Sequence, residues 1–342
     1  MGRAAVGGTV VVSGAVAGVA ARSGFFLWHQ TQLLRGCSVD EEQSVEFQSE
    51  GATLRGLLIT PRGRSAQLPL VIMAHGTSAT FRMVAIEYAR VFAQAGIAAL
   101  IYDHRNFGCS DGEPRQEINP WVQCRGYRDA MDFALRLPQV NPEKLALWGD
   151  SYTGGQVVVV SACDARAKVI LAQCPVFGPV APAEAPTRQT MAQIQLTLQS
   201  GDVRGTPETT TGPIPVVSPS QLAYRSLLTP IQAFRWFTDY GGRPGSEWIN
   251  EVTRVIPPTP VAYSSFLCAP YVQAKVLFMV APEDEMSHAN YGVTRQAYDL
   301  IPTEKHWQDV RDGHFGLLYY PGERFCEASS AQAEYLRSAL DL

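Results

Sequence analysis

Four apolar runs without polar alternation constrain this chain most: residues 70–74, 98–102, 145–148 and 169–172. A strand with one wet face alternates apolar with polar, so a run that is apolar throughout is a strand buried on both faces. Between these runs lie segments of helical period, 84–95 and 122–137, the second with Tyr127, Met131, Ala134 and Leu135 at spacings of three and four. Alternating strand and helix with right-handed crossovers gives an α/β fold, a mostly parallel sheet with helices on both faces. Functional loops in such a sheet sit at the carboxyl ends of the strands.

The runs 44–47 and 52–59 flank Glu50-Gly51 and read as an antiparallel hairpin. After Pro175 the alternation stops for about ninety residues, in a stretch rich in Pro, Thr and Gly, and resumes at 274–280. A helical stretch near 289–300, a short strand near 307–310 and an amphipathic helix over 330–340 complete the pattern. Residues 40–179 and 271–342 therefore form one α/β core, with 180–270 inserted as a lid or cap before the strand at 274–280.

The 342 residues, 46% hydrophobic, can bury a large core. The net charge is only −4 and Lys and Arg are scattered, so no basic stripe indicates nucleic acid. Seven cysteines without a C-x-x-C pair or nearby histidine spacing argue for reduced thiols and against a structural zinc site. Residues 1–39 contain no Asp or Glu, carry Arg3, Arg22 and Arg35, and include a small-residue apolar run over 4–21. They read either as a targeting segment, for secretion or organelle import, or as an N-terminal extension packed on a cytoplasmic protein. Only residues 1–36 offer a route to membrane association, and their run is too Gly-rich and short to read as a membrane span.

The run 145–148 enters Gly149-Asp150-Ser151-Tyr152-Thr153-Gly154-Gly155 and a helical stretch follows. Strand, sharp turn and helix are the setting in which a serine hydroxyl is lifted above a sheet as a nucleophile. Thr153 replaces the last glycine of the G-x-S-x-G pattern, so the match is imperfect, and the bland alternative is a plain strand-to-helix turn. Serine needs a histidine to take its proton and an acid to orient that histidine. The expected chain order is Ser, acid, His. After the strand ending near Val280 come Glu283, Asp284 and Glu285, and after the next comes Gly313-His314-Phe315. Of the six histidines, His314 is the best-placed base, because His288 lies on the acid's own loop, His306 begins a strand and His104 follows another. Asp284 is preferred to Glu283 as the acid, and Asp312 is assigned to turn formation. Two backbone amides are then required for an oxyanion: Tyr152, directly after the serine, and Thr77, in the loop that follows residues 70–74. His75 shapes that loop and has no second ligand at metal-binding spacing.

Ala74-His75-Gly76, the run from Tyr102 to Gly108 with Ser110-Asp111-Gly112, Gly149-Asp150-Ser151, Ala281-Pro282-Glu283-Asp284 and Gly313-His314-Phe315 resemble an α/β hydrolase over residues 44–340. Within that fold the chain looks like the dienelactone-hydrolase-like enzymes and the polyketide transferases and thiohydrolases. The resemblance implies a triad of Ser151, His314 and Asp284, no cofactor, no metal and a covalent acyl-enzyme on a small-molecule substrate. The insertion supplies Phe234, Trp236, Phe237, Tyr240, Trp248, Tyr263 and Phe266, some of which would line an apolar pocket while others pack the lid. The leading expectation is hydrolysis of an ester, thioester or lactone with an apolar acyl part. The alternatives are acyl transfer or cyclisation from the same acyl-enzyme, peptide cleavage, and binding of a small molecule without turnover.

Overall fold

The computed structural model describes residues 41–63 and 67–342, so the N-terminal segment with its two readings lies outside the described residues. Among the described residues no helix is long and apolar enough to cross a membrane.

Strands β1(Glu41–Ser49) and β2(Ala52–Thr60) pair as the expected hairpin. Its turn residues Glu50 and Gly51 both have positive φ, 47° and 73°, which matches the right-handed twist of the strands. The continuous apolar runs form β3(Leu68–Ala74), β4(Ala98–Tyr102), β6(Val140–Asp150) and β7(Val169–Gln173), with the two-residue β5(Glu117–Ile118) between β4 and β6. With β10(Lys275–Val280) and β11(Lys305–Asp309) they make one sheet of order β1-β2-β4-β3-β6-β7-β10-β11. The pairs β1–β2 and β2–β4 are antiparallel and the others parallel.

Alternation along each strand divides the core. From β3, Leu70 and Ile72 pack on one face with α2(Pro120–Ala134) and α3(Tyr152–Cys163), through Tyr127, Met131, Val157 and Val158. Val71 and Met73 pack on the other with α1(Ala85–Gln94) and the terminal helix, through Tyr88, Phe92 and Leu336. Both faces are dry, which is why these strands read as unbroken apolar runs.

The inserted segment contains α4(Arg188–Ser200), α5(Ile231–Gly241), α6(Ser265–Cys268) and two strands that sequence periodicity did not mark, β8(Thr210–Ile214) and β9(Val252–Val255). These two join β5 in a second, three-stranded sheet. Phe266, Leu267 and Cys268 of α6 belong to the same core cluster as the valines of α3, so the chain is back in the α/β core before residue 270. Helices α7(Tyr291–Leu300) and α8(Glu323–Ala339) follow, α8 starting at Glu323 rather than at residue 330.

Helix α2 begins at Pro120, two residues before its periodic stretch, because Asn119 caps it. The Asn119 side-chain oxygen accepts from the amides of Trp121 and Val122, and Pro120 fills the first position, where no amide is needed. Asn119 Nδ2 also donates to the Val203 carbonyl at 2.7 Å, tying the inserted segment to the helix start. Asn119→Ala should cost about 2 kcal/mol of unfolding free energy, measured by urea denaturation, because cap and buried donor are lost together. Unchanged stability would deny the cap any role.

Candidate active site

Strand β6 ends at Asp150 and α3 starts at Tyr152, leaving Ser151 to make the turn at φ 57° and ψ −115°. A side chain in that region is strained and persists only where its surroundings hold it. Here the Ser151 amide donates to the Gln173 carbonyl at 2.8 Å, and the Ser151 carbonyl accepts from the Val176 amide at 3.0 Å. Thr153, the departure from the glycine pattern, is fully buried. Its hydroxyl accepts from the Asp150 amide at 2.9 Å and lies 3.0 Å from the Ala74 carbonyl and 2.9 Å from that of Asp150, one of which takes its proton. Thr153 thus fastens the turn to the end of β3. Gly149 must be glycine, since a Cβ there would sit 2.3 Å from the Thr153 carbonyl oxygen.

His314 stands on the loop after β11, where Asp312 and Gly313 both have φ of 70°. Its Nδ1 lies 2.7 Å from Asp284 Oδ2, and the two side chains are 2% and 3% exposed. Asp284 Oδ1 accepts from the Met286 amide at 2.8 Å, which fixes the carboxylate. Of the three adjacent acids it is Asp284 that meets the imidazole. Glu283 is exposed, while Glu285 Oε2 accepts from the His314 backbone amide at 2.8 Å and so anchors the loop from below. Adjacency among the acids was the only hint of Glu285 in the sequence. Asp312 pairs with Arg324 instead, at 2.9 Å.

Burial is the largest single influence on His314 and pushes its pKa down. The Asp284 hydrogen bond and charge, joined by the charges of Asp150 and Glu285, more than offset it, and the net shift is upward. The other histidines differ in kind. His306 is 57% exposed on β11, and His288 is exposed beside Ser287. His104 is enclosed with Tyr102 and Tyr127, where burial pushes its pKa down to about 3.

The loop after β3 comes against the turn at Ser151 because of Gly76, where a Cβ would lie 2.3 Å from the Asp150 carbonyl oxygen. Thr77 follows with φ 48°. Tyr152 opens α3, where the first amides of a helix have no partner within it. Ser151, Thr77 and His314 all line one cavity of about 20 Å³, walled by Trp236 and Phe237 of α5 and by Phe315. Tyr263 and Phe266, also weighed as pocket aromatics, pack with the opposite core cluster instead.

Cys174, Asp284 and His314 each bring one ligand atom within 4.8 Å of the others, a set that could hold a metal ion. Burial, with the charges of Asp284 and Asp150, pushes the Cys174 thiol well up and opposes the thiolate that a metal would need.

No family model matches the chain. It is 27% identical over 296 residues to the quorum-quenching protein AidA of Acinetobacter baumannii, covering 86% of this chain and 93% of that protein. It is 37% identical over 142 residues to the thiohydrolase aneE of Aspergillus aculeatus, covering 40% of this chain and 44% of that protein, less than half of the relative's length. The crystal structure of the α/β hydrolase GrgF from Penicillium sp. sh18 superposes with a TM-score of 0.66 at 20% identity, over 88% of this chain and all of that one.

Thr153→Val keeps the shape but leaves the buried Asp150 amide without its acceptor. It should lower stability by about 1–3 kcal/mol. Thermal melting that matches wild type would contradict the bonding role given to the hydroxyl.

Proposed function

We propose, from the premise that this chain has the α/β-hydrolase fold, that it is a serine hydrolase of esters, thioesters or lactones with a largely apolar acyl portion. The observation that carries the reading is the buried His314–Asp284 pair, 2.7 Å apart, beside a serine held at positive φ on a strand-to-helix turn. Its support from relatives is the likeness to a quorum-quenching protein over most of both chains and to part of a thiohydrolase.

In this reading Asp284 accepts a hydrogen bond from Nδ1–H of His314, which fixes the tautomer and leaves Nε2 free to take the Ser151 proton. The Ser151 oxygen attacks the acyl carbon, and the oxyanion is held by the amides of Tyr152 and Thr77. Collapse breaks the bond to the leaving group, which takes the proton from His314 and departs as an alcohol or thiol. Water then gives a proton to Nε2 and attacks the acyl-enzyme, releasing the acid and restoring Ser151. Ser151→Ala should abolish turnover of p-nitrophenyl esters and of acyl thioesters, and retained turnover would remove Ser151 from the mechanism. An alcohol acceptor in place of water would turn the same acyl-enzyme into an acyltransferase. The apolar walls Leu228, Trp236, Phe237 and Phe315 favour that branch by limiting water.

A cavity of about 20 Å³ has room for one water molecule, so a substrate must displace a wall to enter it. The insertion thereby acts as a lid, with α5 as the wall that moves. Helix α5 is pinned by Trp236 Nε1 donating to the Leu318 carbonyl at 2.9 Å and by Tyr240 Oη, which accepts from the Tyr320 amide at 2.7 Å. Phe237→Ala should raise kcat/KM for long-chain esters about tenfold relative to acetate esters, the scale of a pocket enlarged by a few methylenes. An equal change for both chain lengths would sink the lid assignment.

His314 must be neutral to act as base, so kcat/KM is full at high pH and falls as protons bind. Because its pKa is raised from 6.5, the midpoint of the acid limb should lie above pH 6.5. A midpoint below 6.5 would contradict the account of its surroundings.

A further inference from the structure

Behind the turn at Ser151 runs a line of buried polar side chains that the reaction as described does not use. Trp148 Nε1 donates to Gln332 Oε1 at 2.8 Å, Gln332 Nε2 to Gln173 Oε1 at 2.9 Å, and Gln173 Nε2 to Asp150 Oδ1 at 3.2 Å. Asp150 Oδ2 then stands 3.1 Å from His75 Nδ1. None of the five residues is more than 3% exposed. Burying such groups costs free energy even when they are bonded, and apolar residues of similar volume commonly serve stability as well or better. Packing alone therefore does not account for the line.

Its end points do. Asp150 immediately precedes Ser151, and His75 immediately precedes Gly76 and Thr77, so the contact joins the two backbone segments that must keep register between nucleophile and oxyanion amide. The Gly76 amide donates to His75 Nδ1 at 2.9 Å, so that nitrogen faces both its own loop and the Asp150 carboxylate. His75 Nε2 is buried without a partner, so the Nδ1 side is what orients the ring.

We propose that Asp150 is a positioning residue for the reaction, holding His75, and with it the Gly76–Thr77 turn, in register with Ser151. Gln173, Gln332 and Trp148 brace the carboxylate on the same face of the sheet, against the terminal helix. This rests on the hydrolase reading above.

Asp150 is faced by His75 from the end of β3, Gln173 and Cys174 from the end of β7, Tyr88 of α1, Tyr127 of α2 and His314. His314 in turn faces Asp284, Glu285, Asp150 and Cys174. Removing the charge of Asp150 takes away one of the influences that raise His314, so the acid limb moves to lower pH.

The test is steady-state kinetics on a p-nitrophenyl ester across pH, with thermal melting to check folding. Asp150→Asn should lower kcat by about 10- to 100-fold, as for other residues that support a reacting group, with KM within about twofold. Its acid limb should move to lower pH. Gln332→Met, which loosens the brace but leaves the charge, should lower kcat several-fold with the limb unmoved. A folded Asp150→Asn protein with wild-type kcat or an unshifted limb overturns the proposal. If that variant does not fold, Gln332→Met decides, and wild-type kcat in it overturns the proposal equally. A wild-type protein without ester turnover instead removes the hydrolase reading and this inference with it.

Discussion

The turn at Ser151 is the constraint on which the rest depends. A serine at φ 57° is tolerable only where its neighbours hold it, and here every neighbour is recruited. The strand beside it supplies the Gln173 carbonyl, the loop after that strand supplies the Val176 amide, and the Thr153 hydroxyl ties the turn to β3. Those attachments exist because β3, β6 and β7 are adjacent and parallel, so their carboxyl ends arrive side by side. The sheet buries both faces to achieve this, and the strained turn is set at the end of its central strands.

The same adjacency brings charge together. Asp284, Glu285 and Asp150 all act on one buried imidazole, outweighing the desolvation that would otherwise lower its pKa. The loop bearing His314 is also the loop to which α5 is fastened, through Trp236 to Leu318 and Tyr240 to Tyr320. Trp236 and Phe237 further pack on Phe315, the residue after His314. Any displacement of α5 that admits a substrate therefore pulls on the segment that carries the histidine.

The sheet was legible in the sequence because burial on both faces leaves an unbroken apolar run, a local signal. The turn at Ser151, the acidic loop with Asp284 and the loop with His314 were legible as candidates because chain order and strand ends confine where such residues can stand. What escaped reading depends on partners distant in sequence. Strand β8 is exposed or half-exposed throughout and β9 buries only its end valines, so neither has a clean period, and they form by pairing with each other and with the two residues of β5. Asn119 caps its own helix, but its tie to the inserted segment comes from Val203, and Gln332 gains its role from Gln173 and Trp148, partners its own neighbourhood does not announce. Thr153 looked like a flaw in a glycine pattern, although its hydroxyl bonds across to another strand.

The central claim is that Ser151 is activated by His314 beside a small cavity walled by Trp236, Phe237 and Phe315. Intact-mass analysis after exposure to a fluorophosphonate tests it most directly, since only an activated serine reacts. The account predicts one adduct per chain on wild type, none on Ser151→Ala, and strongly slowed labelling on His314→Ala. A folded wild-type protein that stays unlabelled, or an adduct that persists in Ser151→Ala, would contradict it.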